Sequence, residues 1–197
     1  MDTATENRRA DTFSAILAGL QAGMLGVCWM LAWLGISAKW ELRSFWTAEN
    51  LMASAFYGEG AIRSGFAAKT LSGVALYLLM YSTLGALFAG VVADRLPRFR
   101  VVLMSVLFAM GWYYLSFRLL WKSVMPLVAL LHSAQPTALG HVIYGAVLGR
   151  YPVYLARQKG GVASEGGEAA GEPSVAEAPP EAAEQLGGEE RGDGVVP

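Results

Sequence analysis

A run of 26 residues from Phe13 to Ala38 carries no charge, and this feature restricts the chain more than any other. About 20 consecutive apolar residues cross the hydrocarbon core of a bilayer, whereas a helix on the edge of a soluble core keeps a charged outer face. The run is also longer than the roughly 7–15 residue core of a signal peptide, and Asp2, Glu6 and Asp11 dilute the basic Arg8 and Arg9 ahead of it. It is expected as a retained transmembrane helix.

Two more uncharged stretches have spanning length: Leu71 to Val92, and Val101 to Phe117, which extends to Trp121 if Arg118 snorkels. A fourth, Ser123 to Gly149, lacks Asp, Glu, Lys and Arg but contains Pro126, Pro136, His132 and His141. Proline sits best in the first turn of a helix, so the last span is expected to begin near Pro136 and run to about Leu155. Residues 124–134 are then either a short interfacial or re-entrant helix, or the first part of one helix kinked at Pro136. The expected fold is all-α: a membrane domain over 13–155 with spans near 13–38, 71–92, 101–121 and 136–155, between a short N-terminus (1–12) and a tail (156–197).

Charge sets the orientation. The stretch Asp94-Arg95-Leu96-Pro97-Arg98-Phe99-Arg100 holds three arginines against one aspartate, and short loops rich in arginine stay in the cytoplasm. Four spans then place both termini inside, in keeping with Arg8 and Arg9 at one end and Arg150, Arg157 and Lys159 at the other. Residues 160–197 carry nine of the sixteen acids and one of the fifteen bases, with nine glycines, four prolines and no aromatic residue. Such a segment has nothing with which to offset its ordering entropy and is expected to be disordered.

The outer segment, Lys39 to Thr70, has its own pattern. Trp40, Phe45 and Trp46 suit the headgroup layer. From Thr47, the residues Leu51, Met52, Ala55 and Phe56 share one helical face and Glu49, Asn50 and Ser54 fall elsewhere, which predicts an interfacial helix packed on the bundle as a lid. Gly58-Glu59-Gly60 reads as a turn, since no strand precedes it and the third glycine of a dinucleotide fingerprint is missing. Trp112, Tyr113, Tyr114, Phe117 and Trp121 are expected as an aromatic belt on the third span.

Gly19, Gly23 and Gly26 on the first span, and Gly145 and Gly149 on the last, form flat strips where another helix can approach closely, within one chain or between chains. His141 and Tyr144 lie three apart on one face of the last span, and an ionisable ring inside a span is a candidate functional group. The simpler expectation is a neutral imidazole bridging helices through a backbone carbonyl or a hydroxyl of Ser82, Thr83 or Ser105. His132 and His141 are nine residues apart with no thiolate or carboxylate near them in sequence, so no metal and no haem are expected. Cys28, the sole cysteine, excludes an internal disulfide and is read as packing. Nucleophile motifs, paired carboxylates and phosphate loops are missing from the spans, and the bases are juxtamembrane, so neither an enzyme, a small-molecule substrate nor a nucleic-acid partner is indicated.

The stretches Phe45-Trp46-Thr47-Ala48-Glu49-Asn50-Leu51-Met52-Ala53-Ser54, Phe56-Tyr57-Gly58, Ser64-Gly65-Phe66, Gly85-Ala86-Leu87-Phe88 and Gly140-His141-Val142-Ile143-Tyr144-Gly145 together resemble the YagU-type small four-span inner-membrane proteins of bacteria. The likeness covers about residues 13–155, and its most distinctive part is His141-x-x-Tyr144-Gly145. The chain departs from that pattern at Tyr77, where the related proteins place a histidine. What the resemblance implies is architecture and a bacterial inner membrane, the group having no settled activity. The expected role is a non-enzymatic membrane protein acting through helix packing, as a homo-oligomer or an accessory subunit of a larger complex. The alternative is a small transporter or channel with a pathway past His141 and Tyr144.

Overall fold

A computed structural model describes residues 3–92 and 96–159, and the regular structure among them is entirely helical. The tail from Gly160 onward, and Asp94 and Arg95 of the arginine-rich loop, lie outside the described residues. Helix α1 (Thr3–Trp40) is followed by α2 (Thr47–Tyr57), α3 (Glu59–Ile62) and α4 (Ala68–Val91). Then come α5 (Arg98–Leu115), a π-helical turn (Ser116–Leu120), α6 (Trp121–Val124), α7 (Pro126–Leu131) and α8 (Ala134–Leu148). Residues 10–40 of α1 and the whole of α4 are long and apolar enough to cross a membrane.

The two longest helices follow the uncharged runs at 13–38 and 71–92 because no proline in those runs breaks the backbone. The third stretch behaves differently: its α-helix ends at Leu115, and five residues of wider π turn carry the chain on to Trp121. Met125 leaves the helical region because the Pro126 ring crowds the residue before it, and Pro126 then opens α7 as its first residue. Pro136 sits in the first turn of α8, where a missing N–H costs nothing, and its carbonyl accepts the indole N–H of Trp33 at 2.9 Å. Residues 151–159 are again helical, so 156–159 belong to this helix and not to the tail, and Lys159 Nζ lies 3.0 Å from Asp11 Oδ1 near the start of α1.

Helix α1 is the spine, packed along both α4 and α8, while α5 packs on α8 and α2 on α4. Glycine makes these seams close. A β-carbon at Gly19 would lie 2.5 Å from the Gly85 carbonyl oxygen, and one at Gly23 would lie 2.6 Å from that of Tyr81, both on α4. On the other side, a β-carbon at Gly145 would meet the Val106 Cα at 2.7 Å and one at Gly149 the Val102 Cα at 2.8 Å, both on α5. Gly26 faces the Tyr144 ring of α8 at 2.8 Å. All five glycines of the two strips therefore face neighbours within the chain.

Helix α2 packs as a lid, but burial divides it along its length and not by face: Leu51 and Met52 are buried together with Glu49 and Asn50, while Ala55 and Phe56 of the expected inner face are exposed. Glu49 is 2 % exposed and Asn50 fully buried, while Phe56 is 62 % exposed. Asn50 is accommodated inside by its bonding: Nδ2 donates to the carbonyls of Ser64 (2.6 Å) and Gly65 (3.1 Å), and Oδ1 accepts from Thr70 Oγ1 (2.7 Å). A polar side chain that satisfies its bonding in the loop beneath is as well placed inside as an apolar one. Close approach completes the seating, because Gly73 of α4 leaves room for the Glu49 carbonyl. Gly58 turns the chain from α2 into α3 with φ +61° and ψ −156°, a conformation essentially open to glycine alone.

Candidate functional site

The polar centre of the bundle forms where α4 passes the α7–α8 junction. Tyr77 and Tyr81 are one turn apart on the inner face of α4, so their rings stack with centroids 5.9 Å apart. Each hydroxyl meets a histidine. Tyr81 Oη lies 2.8 Å from His141 Nε2, and Tyr77 Oη lies 3.2 Å from His132 Nε2. The remaining nitrogen of each imidazole faces the carbonyl four residues earlier: His141 Nδ1 at 2.8 Å from Thr137 O, and His132 Nδ1 at 3.2 Å from Val128 O.

This arrangement fixes the tautomers. A carbonyl only accepts, so each Nδ1 carries a hydrogen; in the neutral ring Nε2 is then the acceptor and each tyrosine the donor. His132–Tyr77 and His141–Tyr81 are thus two copies of one module, a helix-anchored imidazole accepting from a phenol across the bundle. Tyr144, expected beside His141, sends its hydroxyl to the Tyr81 carbonyl at 2.7 Å and its ring edge onto Tyr81 at 4.9 Å. His141 and Tyr144 are buried, each 1 % exposed.

The hydroxyl that meets His141 belongs to Tyr81 and not to Ser82, Thr83 or Ser105. Thr83 turns back to Leu79 O, and Ser105 bonds Gly145 O at 2.7 Å, holding α5 to α8. A short hydroxyl crosses between helices only where a glycine brings them together, as Ser105 does at Gly145, whereas a phenol spans a wider gap. Three residues of the expected belt also turn inward: Tyr113 packs on His141, Phe117 on His132, and Trp121 is buried, leaving Tyr114 exposed.

Two cavities adjoin the modules. An inner one of about 10 Å³, room for a single water, lies among Met30, Tyr77, Tyr81, His132, Thr137 and His141. An outer one of about 30 Å³ lies beneath residues 41–47, with Glu41, Arg43 and Thr47 on one side and His132, Ser133 and Thr137 on the other. His132 and Thr137 border both.

Glu49 is the group that sequence reasoning placed elsewhere. Its Oε2 is buried without a hydrogen-bond partner, and burial pushes the carboxyl up to about 7. At the outer edge, Ser133 Oγ donates to Glu41 Oε2 at 2.6 Å, a bond that holds the Glu41 carboxyl below the usual value. Comparison of the chain with protein-family models, with curated proteins and with solved structures finds no match.

Proposed function

We propose that the chain is a four-span protein of a bacterial inner membrane, with both termini cytoplasmic. In this reading it is non-enzymatic and acts through helix packing, as a homo-oligomer or an accessory subunit of a larger membrane complex. The observation that carries the reading is the separation of surfaces. Met24, Trp29 and Ile36 on α1, Leu79 and Leu87 on α4, and Leu103 and Leu107 on α5 are exposed, while His141, Ser105, Thr137 and Asn50 are buried and bonded. A soluble surface would invert that arrangement; a lipid-facing one requires it.

Two further features support four spans. Helical backbone runs from Arg98 through Val124, and again from Ala134 to 159 with one turn between, each more than the roughly 20 residues a crossing needs. The Asp11–Lys159 pair joins the beginning of the first helix to the end of the last, as an even number of crossings demands. The likeness to YagU-type proteins belongs to the same reading. Because the glycine strips are occupied within the chain, association with other subunits would use the outer apolar faces of α4 and α5.

Purification in mild detergent with cross-linking and mass spectrometry tests the role: a homo-oligomer or a co-purifying membrane subunit is expected, and a lone monomer without partners would remove it. A second reading, transport past His141 and Tyr144, draws on the wall that the two cavities share at His132 and Thr137. Proton flux into vesicles containing the purified protein, lost on His141→Gln, would favour it.

A further inference from the structure

His132 differs from His141 in one respect: it borders the outer cavity as well as the inner one. Over that cavity lies a strap, Glu41-Leu42-Arg43, tied to the α7–α8 junction by Glu41–Ser133 and by Arg43 Nη2 donating to Leu131 O at 2.8 Å. Its middle residue, Leu42, is 97 % exposed and has φ +57°, a left-handed conformation disfavoured for a residue with a β-carbon. The turn aims its two charged neighbours at the junction while its own side chain contributes no packing.

We propose that His132 is a proton-loading site entered from the outer cavity and gated by the Glu41–Arg43 strap. A hydronium that has passed from the outer to the inner cavity gives its proton to the Tyr77 hydroxyl oxygen while the phenol passes its own hydrogen to the Nε2 lone pair it faces. One O–H bond breaks and one forms on Tyr77, one N–H bond forms on His132, one water is released and the site gains one positive charge. The Tyr77 hydroxyl, until then the donor to Nε2, now accepts from Nε2–H and directs its new hydrogen into the inner cavity. Nδ1 keeps its bond to Val128 O throughout.

The groups around His132 show what loading would work against. Arg43 on the strap repels an imidazolium, and His141 on α8 would add to the repulsion if it were charged. Glu41 on the strap and Glu49 on α2 favour it when ionised. Tyr77 and Tyr81 on α4 supply hydroxyls, and Phe117 from the π turn, 5.6 Å between ring centroids, offers a π face or edge without charge. Arg43 and Glu41 are paired at 3.3 Å, so the strap brings one charge against loading and one for it, and removal of the guanidinium alone tips the balance toward loading. Beyond His141, Tyr144 ends on a backbone carbonyl.

The inference rests on the four-span reading only for the side from which the proton comes. With two histidines in the chain, protein labelled with 15N-histidine in lipid nanodiscs gives two imidazoles to follow by NMR, assigned with His132→Gln. Both should show the Nδ1–H tautomer at pH 7, and on acidification His132 should convert to imidazolium before His141. Arg43→Gln should raise the His132 midpoint by about one pH unit and move His141 less. Tyr77→Phe, which leaves the strap untouched, should shift the His132 Nε2 resonance and not that of His141. His141 titrating first, or a His132 resonance indifferent to both variants, would overturn the proton site and leave the four-span reading standing.

Discussion

Helix α4 is held on two sides by opposite means. Against α1 it meets glycine: Gly85 lies against Gly19 and Gly23, the backbones touch, and no hydrogen-bonding side chain is needed. Against the α7–α8 junction it meets bulk, with two tyrosines reaching across to two histidines and a water-sized cavity left between them. In lipid the first kind of seam depends on dispersion over a flat strip, and the second on hydrogen bonds whose alternative is an unsatisfied group. Close backbone contact makes the first rigid. The second, with its rotatable hydroxyls and its cavity, is where a change of protonation can be absorbed.

The largest effect should come from filling the glycine seams. Gly23→Leu and Gly145→Leu each drive a side chain into backbone, at a cost of several kcal/mol that exceeds ordinary overpacking. Thermal unfolding in detergent should show both variants misfolded or strongly destabilised. Gly111→Leu, on α5 with open space where its β-carbon would stand, should melt as the wild type does. Equal stability in all three would erase the contrast between the two seams.

Next comes the lid seam, where Glu49 carries a buried unpaired oxygen. With its carboxyl raised from 4.5 to about 7, the native state holds a proton that the unfolded state releases. The lid is therefore most stable below pH 4.5, weakens as pH rises from 4.5 to 7, and changes little beyond. The total loss is at most about 3 kcal/mol. Glu49→Gln should flatten that dependence and be the more stable protein at pH 8, as measured by denaturation at a series of pH values. A wild-type profile that rises with pH over this range would contradict the burial of an unpaired carboxyl.

A smaller effect is expected at the polar seam. His141→Leu leaves the Tyr81 hydroxyl unpaired at a cost of roughly 1–3 kcal/mol, whereas His141→Gln keeps a group able to accept from it and should lose less. If both variants match the wild type in stability but reproduce the growth phenotype of a deletion, the hydrogen bond is functional in origin, and the second of the two readings gains.

Much of this arrangement was legible in the residues. The uncharged run at 13–38 lies within the helix Thr3–Trp40, that at 71–92 ends one residue beyond the helix Ala68–Val91, the helix between them starts at Thr47, and Pro136 falls in the first turn of α8. Hydropathy locates such segments because it depends on composition along a run. It says little about which group satisfies another across the bundle, and the misplaced features are of that kind. Asn50 and Glu49 read as solvent-facing because their partners, the carbonyls of Ser64 and Gly65 and the space beside Gly73, are set by the loop's path. For His141 the sequence offers a backbone carbonyl or a small hydroxyl of a neighbouring span; the carbonyl is that of Thr137 on its own helix, and the length of a phenol lets Tyr81 reach the other ring nitrogen. His132 looked isolated nine residues away, and became the twin of His141 only when the break at residues 132–133 allowed both rings to face α4.

The most direct test of the whole arrangement is sidedness. On a Cys28→Ala background, Arg98→Cys and Leu42→Cys place single thiols at exposed positions on the two sides expected to be opposite. An impermeant maleimide should label Leu42→Cys in intact cells and Arg98→Cys only after the membrane is opened. Labelling of Arg98→Cys from outside, with Leu42→Cys protected, would contradict the four-span orientation.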